Sequence, residues 1–377
     1  MSRFVPRVSA LEGRVMPSFS GLFAVGAGPG APPRVDVYDN TTGARLTQFQ
    51  PFENTFTGGV TVAVGDVTGD LLPDLIVGAS EGGGPRVQVY NGATLRTGFN
   101  AAASLIADFF AFESSQRGGV TVTTGRFFGT SFDEVVVGAG PGGGPRVRIL
   151  DGQQILLQGR AYTSNLPIDT VANFFAYEPT LRTGVNVAAN PVTQTFSLYS
   201  DLIVAPGSGG GPRVRVLSGF QIAGQRTAFT SNLPTDQLAN FFAGDPNNRS
   251  GLFVASADVN FDGSADVFVG TGAGIPAAVT IYNGAFIRSN PNFTGRAAGD
   301  IVTQFQPIAN YSNGVTVGMT QSQNAGQGLL ISGTGGAGKV GTAVLSRFSF
   351  VGSNLVRQPL FTVVPVPGLI AGANVST

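Results

Sequence analysis

One short strand pattern recurs along this chain at intervals of 60, 65, 67 and 63 residues. Its five copies begin at Val60 (VTVAVGD), Val120 (VTVTTGR), Val185 (VNVAANP), Leu252 (LFVASAD) and Val315 (VTVGMTQ). A period of this length is longer than a helical hairpin repeat and matches one blade of a β-propeller. The repeat therefore constrains the fold more than any single motif does.

Each period contains four strand-like runs. In the copy that starts at Val60 they read VTVAV, DLIVGA, RVQVY and ADFFAF. Alternating apolar residues separated by Gly and Asn turns are typical of antiparallel strands, and four such strands form a propeller blade. The 55 Gly and 23 Pro of the chain also favour short strands joined by tight turns over helices.

The first period begins with its second strand, at Leu22 (LFAVGAG), and so lacks a first strand. The chain ends in GLIAGANVST, which resembles LRTGVNVAAN at the start of the period of Val185. Ala373 lies 58 residues after Val315, so the register of the repeat is kept. We expect this C-terminal strand to complete the N-terminal blade, which would remove an exposed sheet edge. The alternative is that these residues form a frayed tail.

The sequence thus predicts an all-β fold, a single six-bladed β-propeller of four-stranded antiparallel blades. The domain is expected to span residues 21–377, with residues 373–377 as the closing strand. Residues 1–20 precede the repeats as a leader and lack the apolar core of a signal peptide.

Two loops between the first and second strands are rich in side-chain oxygens. They read DVTGDLLPD over residues 66–74 and DVNFDGSAD over residues 258–266. Oxygen donors occupy loop positions 1, 3, 5 and 9, and the main-chain carbonyl at position 7 adds another. The predicted ligands are Asp66, Thr68, Asp70, the carbonyl of Leu72, and Asp74 in the first loop, and Asp258, Asn260, Asp262, the carbonyl of Ser264, and Asp266 in the second.

These carboxylates would repel one another unless a cation lay between them. Hard oxygen ligands in a flexible loop suit Ca2+. The chain has no His and no Cys, which removes nearly every zinc or copper site. We therefore expect two Ca2+ sites, and the alternative is a pair of solvated, Asp-rich turns.

The two loops resemble those of the FG-GAP or VCBS repeat family, whose pattern is D-x-[DN]-x-D-G-x-x-D-[LV]-x-V-G. Residues 258–270 (DVNFDGSADVFVG) follow it closely, with Phe261 where a glycine is common. Residues 66–78 (DVTGDLLPDLIVG) follow it with Leu71 in place of the glycine. The resemblance implies an integrin-α-like propeller with Ca2+ in these loops. The glycine-rich run GAGPGGGPRVRV is common in the bacterial surface proteins of this family.

The other four periods depart from the pattern, and we predict no metal in them. Arg126 replaces the first aspartate of the third period, where it would satisfy Asp133 and Glu134 without a metal. Only Asp201 remains in the fourth period. Leu329 and Leu22 stand at the last ligand position of the sixth and first periods.

Arginines cluster at the opposite ends of the strands. The glycine turn before the third strand ends in Arg86, Arg146 and Arg213, and in a variant at Arg34. The loop between the fourth strand and the next blade has an acid followed four residues later by an arginine. The pairs are Glu113 and Arg117, Glu178 and Arg182, and Asp245 and Arg249. We expect one face to carry these groups, either as salt bridges that brace the loops or as a binding surface for an anionic glycan or protein.

Two nucleotide-like motifs are better explained as copies of this turn. They are the G-x-G-x-x-G run from Gly138 and the GTGGAGK run from Gly333 to Lys339. Each joins two predicted strands, whereas a dinucleotide or phosphate loop would precede a helix.

Charge and hydropathy exclude several functional classes. The formal net charge is zero and Lys339 is the only lysine, which disfavours nucleic acid as a partner. No apolar run reaches the ~18 residues of a membrane span. The lack of His and Cys removes imidazole bases and thiol nucleophiles.

The sequence therefore favours a non-catalytic, calcium-binding β-propeller that acts outside the cell or at the bacterial cell surface. Its expected role is to bind or adhere to a protein or a glycan. The alternatives are a self-associating structural protein of the envelope and a calcium-dependent enzyme similar to polysaccharide lyases. The ligand, the oligomeric state and the export route stay open.

Overall fold

A computed structural model describes residues 21–39, 42–95, 97–192, 198–260, 262–307, 310–312, 314–320, 328–334, 343–351, 354–363 and 373–376. The predicted leader (residues 1–20), Phe261 and Lys339 lie outside the described residues.

The described chain contains 24 strands, each of four to ten residues. In chain order they are β1 (Leu22–Ala27), β2 (Val35–Asp39), β3 (Arg45–Phe49), β4 (Val60–Gly65), β5 (Asp74–Ala79), β6 (Arg86–Tyr90), β7 (Leu105–Phe110), β8 (Val120–Gly125), β9 (Glu134–Ala139), β10 (Arg146–Leu150), β11 (Thr170–Phe175), β12 (Val185–Asn190), β13 (Asp201–Pro206), β14 (Arg213–Leu217), β15 (Gln237–Phe242), β16 (Leu252–Ala257), β17 (Asp266–Thr271), β18 (Val279–Tyr282), β19 (Ile301–Phe305), β20 (Val315–Thr320), β21 (Gly328–Thr334), β22 (Ala343–Val351), β23 (Asn354–Val363) and β24 (Ala373–Ser376).

These strands form four-stranded antiparallel sheets, which confirms the propeller class of fold and the four-stranded blade. Five blades are each built from four consecutive strands, β4–β7, β8–β11, β12–β15, β16–β19 and β20–β23. The remaining four-stranded sheet is composite, because it joins β24 from the end of the chain to β1, β2 and β3. The predicted count of six blades is therefore corrected to five that are continuous in the sequence, and the composite sheet accounts for the difference.

The expected pairing of the C-terminal strand with the N-terminal sheet is confirmed. Strand β24 runs antiparallel to β1, with Ala373 opposite Ala27 and Ser376 opposite Ala24. It also contacts the innermost strands of both neighbouring blades, β4 and β20. The two ends of the described chain are therefore held in one sheet.

In four of the sheets the second strand is mostly apolar, and both of its faces are covered. All six residues of β1, β5, β9 and β13 are buried. In β9 the run is interrupted by Gly138, where an added Cβ would come within 2.5 Å of the carbonyl oxygen of Val185. The next blade approaches the backbone too closely there for any side chain.

Side-chain hydrogen bonds also join the innermost strands of successive blades. Thr61 Oγ1 donates to the carbonyl of Val120 at 3.0 Å, and Thr121 Oγ1 donates to that of Val185 at 2.7 Å. In the following blade Asn186 Nδ2 donates to the carbonyl of Leu252 at 2.6 Å. The second residue of the inner strand thus links each of these blades to the next.

Short helices occupy the connections between the third and fourth strands. They are α1 (Ala101–Ser104), α2 (Gly152–Gln158), α3 (Gly219–Gln225) and α4 (Gly284–Ser289). Each helix follows an N-cap residue whose side chain accepts a hydrogen bond from a main-chain N–H of the first turn. The N-cap residues are Asn100, Asp151, Ser218 and Asn283, respectively. Among the described residues, none of the helices has the length and apolar character needed to cross a bilayer.

Candidate metal loops and the arginine face

The first acidic loop is closed by hydrogen bonds from its own main chain. The carboxylate of Asp66 accepts from the N–H groups of Asp70 (3.1 Å) and Leu71 (2.9 Å). Asp70 Oδ1 accepts from the N–H of Leu72 at 2.8 Å. Leu71 stands at loop position 6 with φ of 68°, the left-handed conformation that glycine adopts most easily. A leucine thus holds, at loop position 6, a backbone conformation that glycine would adopt without strain.

Asp74, at position 9 of this loop, is fully buried and connects two parts of the blade. Its Oδ2 accepts from the N–H of Thr68 and its Oδ1 from that of Gly92, both at 2.8 Å. Burial raises the pKa of Asp74 to about 7, although both hydrogen bonds oppose the shift. The hydroxyl of Thr68 is also buried, and it lies beside Asp74, where it lowers the pKa of that carboxyl.

The second acidic loop is closed in the same way and more regularly. Asp258 Oδ2 accepts from the N–H of Gly263 at 3.0 Å, and Asn260 Oδ1 accepts from that of Asp262 at 3.1 Å. Asp262 Oδ1 then accepts from the N–H of Ser264 at 3.0 Å, and its Oδ2 accepts from Asn260 Nδ2 at 2.8 Å. Gly263, at position 6, has φ of 82°. The side chains at positions 1, 3 and 5 are thus all turned toward the interior of one loop.

Asp266 is the counterpart of Asp74. Its Oδ1 accepts from the N–H of Gly284 at 2.9 Å and its Oδ2 from that of Val259 at 3.2 Å. Burial raises the pKa of Asp266 to about 8, and the charges of Asp262 and Asp258 raise it further.

The donors of both loops fit a hard cation in their chemistry, since carboxylate, amide, hydroxyl and carbonyl oxygens are what Ca2+ binds. The positions of these oxygens fit a bound cation less well than their chemistry does. Among the described residues, no three acidic side chains are grouped so as to hold a metal ion. The reason is that most carboxylate oxygens accept main-chain N–H groups. The structure brings the predicted ligands of each loop into one turn without converging them on one point.

A buried acid also ends the equivalent loops that lack the metal pattern. Glu134 accepts a hydrogen bond from the N–H of Phe127, and Asp201 Oδ1 accepts from the N–H of Gly219 at 2.9 Å. Burial raises the pKa of Glu134 to about 8. The acid at position 9 therefore fastens its loop within the blade whether or not the other oxygen donors are present. The signal for this role was in the repeat, because this acid recurs where positions 1, 3 and 5 do not.

The third period contains the arginine contact expected from its sequence. Arg126 Nε donates to Asp133 Oδ1 at 3.3 Å. The other carboxylate oxygen of Asp133 accepts from the N–H of Asp66 at 2.9 Å, so Asp133 also ties the first acidic loop to the next blade. Glu134, by contrast, is bound by a main-chain N–H and by no arginine that the structure describes.

On the opposite face, the acids pair with a different set of arginines from the one predicted. Arg86, Arg146 and Arg213 each donate from Nη1 to an acid in the loop of the preceding blade. The pairs and distances are Arg86 to Glu53 (2.9 Å), Arg146 to Glu113 (2.8 Å) and Arg213 to Glu178 (3.0 Å). These salt bridges join blades instead of bracing a single loop.

The arginines four residues after the acids bind their own loops. Arg117 donates to the carbonyls of Ser114 and Gln116, and Arg182 donates to those of Pro179 and Leu181. The predicted pairing of Glu113 with Arg117, and of Glu178 with Arg182, is therefore wrong. The acid and the arginine are close in sequence, but a loop carbonyl is nearer to each guanidinium.

No protein-family model matches the chain, and no curated protein matches it. Among solved structures, a protein of unknown function from Bacteroides caccae has 13% identity and a TM-score of 0.45, over 95% of this chain and 98% of its own. U3-55K has 10% identity and a TM-score of 0.43, over 88% and 75% of the two chains. Apo AztD from Citrobacter koseri has 8% identity and a TM-score of 0.40, over 94% and 97%. Likenesses this weak carry no argument about what the chain does.

Proposed function

We propose that this protein is a non-catalytic β-propeller of the FG-GAP or VCBS type that binds Ca2+ in two loops. In this proposal it works outside the cell or at the cell surface, where it binds a protein or a glycan. The observation that supports it best is the loop of residues 258–266. There, Asp258, Asn260 and Asp262 each accept a main-chain N–H, and their side chains face the interior of a single turn.

In the second loop the cation would be held by Asp258, Asn260, Asp262 and the carbonyl of Ser264, with Asp266 behind them. Its effect would be to offset the repulsion between the carboxylates, which adds to burial in raising the pKa of Asp266. In the first loop Asp66, Thr68, Asp70, the carbonyl of Leu72 and Asp74 would act in the same way. Weak sites of this kind suit an extracellular protein because calcium is abundant there.

The ions would stabilise the ring and take no part in a reaction. Both loops are tied to a neighbouring blade, through Asp66 and Asp133 in one case and through Ala265 and Pro191 in the other. A cation that stiffens either loop would therefore also stiffen a contact between blades. We further propose that the composite sheet of β24 and β1–β3 serves as the sixth blade and closes the ring.

A second candidate is self-association, favoured by a repeated apolar feature. The last residues of β7, β11 and β15, namely Phe110, Phe175 and Phe242, are all exposed large side chains on outermost strands. Exposed aromatic groups at strand edges are features through which copies of a chain can associate. A concentration-dependent sedimentation coefficient would support this candidate.

The main proposal is tested by thermal unfolding in EGTA and in millimolar CaCl2, for the native chain and for the double variant Asp66→Ala, Asp258→Ala. Because calcium would bind only the folded state, it should raise the Tm of the native chain. At a free calcium concentration of 100 times Kd, each site would add about 2.7 kcal/mol to the free energy of unfolding. The double variant should lose this gain.

Asp201→Asn is the control, since Asp201 is the buried acid at position 9 of a loop without the metal pattern, equivalent to Asp74 and Asp266. It should lower the Tm equally in EGTA and in calcium. A native chain that melts at the same temperature in both solutions would show that the loops are ordinary turns.

A further inference from the structure

A polar groove of about 520 Å³ lies between the outermost strand of one blade and the long third-to-fourth connection of the next. One wall comes from β11 and the residues after it, and the other from residues 227–237. The residues on which the argument rests are Asn173, Phe175, Arg213, Arg215, Asn232 and Gln237. Three further lining residues, Phe174, Tyr177 and Phe229, belong to the core between the two blades, whereas the acidic loops do not line the groove.

In the blade of β4–β7, Arg86 stands at the position that Arg213 occupies beside the groove, and its charge is fully matched. There Arg86 donates from Nε and Nη2 to the two oxygens of Asp108, at 2.7 and 2.6 Å, and from Nη1 to Glu53. The residue two positions further along the strand is the neutral Gln88, which also donates to Asp108. One arginine thus faces two carboxylates, which gives a local charge of −1.

In the blade of β12–β15 an amide, Asn240, takes the position of Asp108. Arg213 Nε donates to Asn240 Oδ1 at 2.8 Å, and Nη1 donates to Glu178. The single amide oxygen of Asn240 accepts from Nε and makes no hydrogen bond with Nη2. Among the described residues, no acceptor replaces the second oxygen that Asp108 provides to Arg86. Arg213 therefore has a guanidinium edge with a donor to spare.

The blade of β12–β15 also has a second cation, Arg215, where the blade of β4–β7 has the neutral Gln88. Its side chain is 4% exposed and donates to the carbonyls of Ala176 and Ser231 and to the Ser231 hydroxyl. It makes no salt bridge with a described carboxylate. Asp236 also acts on Arg215 electrostatically, but its oxygens accept from Gln225 and Leu233 and it does not line the groove. Two arginines and one acid, Glu178, give the groove a local charge of +1.

The preceding blade repeats this arrangement, so it is not an accident of one position. Arg146 Nε donates to Asn173 Oδ1 at 2.8 Å, and the buried Arg148 donates to the carbonyls of Ala111 and Ser164. The extra arginine, the amide in place of Asp108 and the long connection occur together in these two blades. The three differences change a paired surface into a walled, positively charged one.

We propose that the groove binds a saccharide that bears carboxylates, an oligomeric hexuronate. A carboxylate of the sugar would accept from the spare edge of Arg213, within the positive field of Arg215. The amides of Asn173, Asn232 and Gln237 would bind ring hydroxyls, and Phe175, which is 41% exposed, would contact a sugar face. A concave groove rich in neutral amides suits the hydroxyl groups of a saccharide better than it suits the flat, extended surface of a protein partner.

This inference rests on the proposed binding role and names its ligand class. The test is isothermal titration calorimetry of the full chain with trigalacturonate, in EGTA so that calcium bound by the sugar does not interfere. Neutral trigalactose and a hexaglutamate peptide serve as comparison ligands. The native chain should bind trigalacturonate, and trigalactose should bind at least tenfold more weakly.

Asn240→Asp is the decisive variant, because Asp108 shows that the blade accommodates a carboxylate at this place. The new carboxylate would occupy the spare edge of Arg213, and the Kd for trigalacturonate should rise at least tenfold while the Tm is kept. Gln153→Glu, which adds the same charge on the exposed side of α2, should leave the Kd unchanged.

Unchanged binding in Asn240→Asp, equal binding of trigalactose, or no binding of trigalacturonate would each overturn the inference. Binding of hexaglutamate without trigalacturonate would overturn it too, and would point to an acidic protein. The calcium proposal is judged separately, since the Tm gain in CaCl2 concerns loops that do not line the groove. A calcium gain without saccharide binding would remove this inference alone.

Discussion

Arg146 Nη1 lies 2.8 Å from Glu113 Oε1, and the two residues belong to neighbouring blades. The same guanidinium stacks over Phe112, with Cζ 5.4 Å from the ring centroid, and bonds to Asn173 of its own blade. Arg86 and Arg213 make the same contacts with Phe52 and Tyr177. One arginine in each of these blades thus joins two groups of the preceding blade to one group of its own.

The first prediction separates the charge of this contact from its packing. Glu113 is 60% exposed, so its ion pair is screened by solvent, and Glu113→Gln should lower the free energy of unfolding by less than about 1 kcal/mol. Arg146→Ala should cost about 1–2 kcal/mol, because it also removes the ring contact and the bond to Asn173. Urea unfolding measures both values.

Arg117→Ala is the control for Arg146→Ala, since Arg117 binds only carbonyls of its own loop. It should cost less than the Arg146 variant does. Equal losses from Glu113→Gln and Arg146→Ala would mean that the salt bridge, and not the stacking, holds the two blades together.

The second prediction concerns the left-handed residue of the first acidic loop. Leu71 has φ of 68° and is exposed, so its side chain contributes little packing and its backbone is strained. Leu71→Gly should relieve this strain and raise the free energy of unfolding by about 0.5–1 kcal/mol, measured in urea with EGTA.

Leu72→Gly is the matched control, because Leu72 is the next exposed leucine and is not among the residues with positive φ. It should destabilise the chain slightly, as glycine adds only flexibility to the unfolded state. A loss of stability in Leu71→Gly would show that the leucine side chain has a contact role that outweighs the strain.

The third prediction is a pH dependence centred on Glu134. This side chain is 1% exposed, and burial, followed by the charges of Asp151 and Asp133, raises its pKa from 4.5 to about 8. Between these two values the folded state holds a proton that the unfolded state has released. The free energy of unfolding should therefore decrease as the pH rises from about 4.5 to about 8.

Glu134→Gln removes this titration and retains an oxygen for the N–H of Phe127. The variant and the native chain should differ least below pH 5, and the variant should be more stable by roughly 1–4 kcal/mol above pH 8. Glu113→Gln, in which the lost carboxylate has a lowered pKa, should instead matter least in acid. Parallel stability curves for native chain and Glu134→Gln would contradict the assigned pKa.

The sequence predicted the blade because periodicity reports local strand geometry. The repeat spacing, the four strands of each blade and the C-terminal copy near Ala373 all appear in the structure as expected. What the sequence did not predict were contacts between blades. The sequence pattern pairs Glu113 with Arg117 and gives Arg146 no partner. It relates residues that are close in the chain, and it does not show which residues of neighbouring blades meet.

The candidate site was predictable to the same extent. The repeat indicated which residues share a loop, and Asp258, Asn260 and Asp262 do lie in one turn. It did not reveal that Asp74 and Asp266 use their oxygens on main-chain N–H groups from two separate loops. That role depends on Gly92 and Gly284, which lie 18 residues away from their acids in the chain.

The fourth prediction tests closure by the C-terminal strand. Strand β1 pairs with β2 on one side and with β24 on the other, so deletion of residues 373–377 would expose the N–H and C=O groups of β1 toward the centre of the ring. It would also remove the contacts of β24 with β4 and β20. We expect the deleted chain to unfold at a markedly lower Tm and to aggregate, because an unpaired strand edge recruits other chains. Adding a synthetic ANVST peptide in excess should partly restore the Tm, since the peptide can pair with β1, whereas a scrambled peptide of the same composition should not. A deleted chain with the native Tm and a monomeric sedimentation profile would mean that β24 is dispensable and that the other strands hold the ring without it.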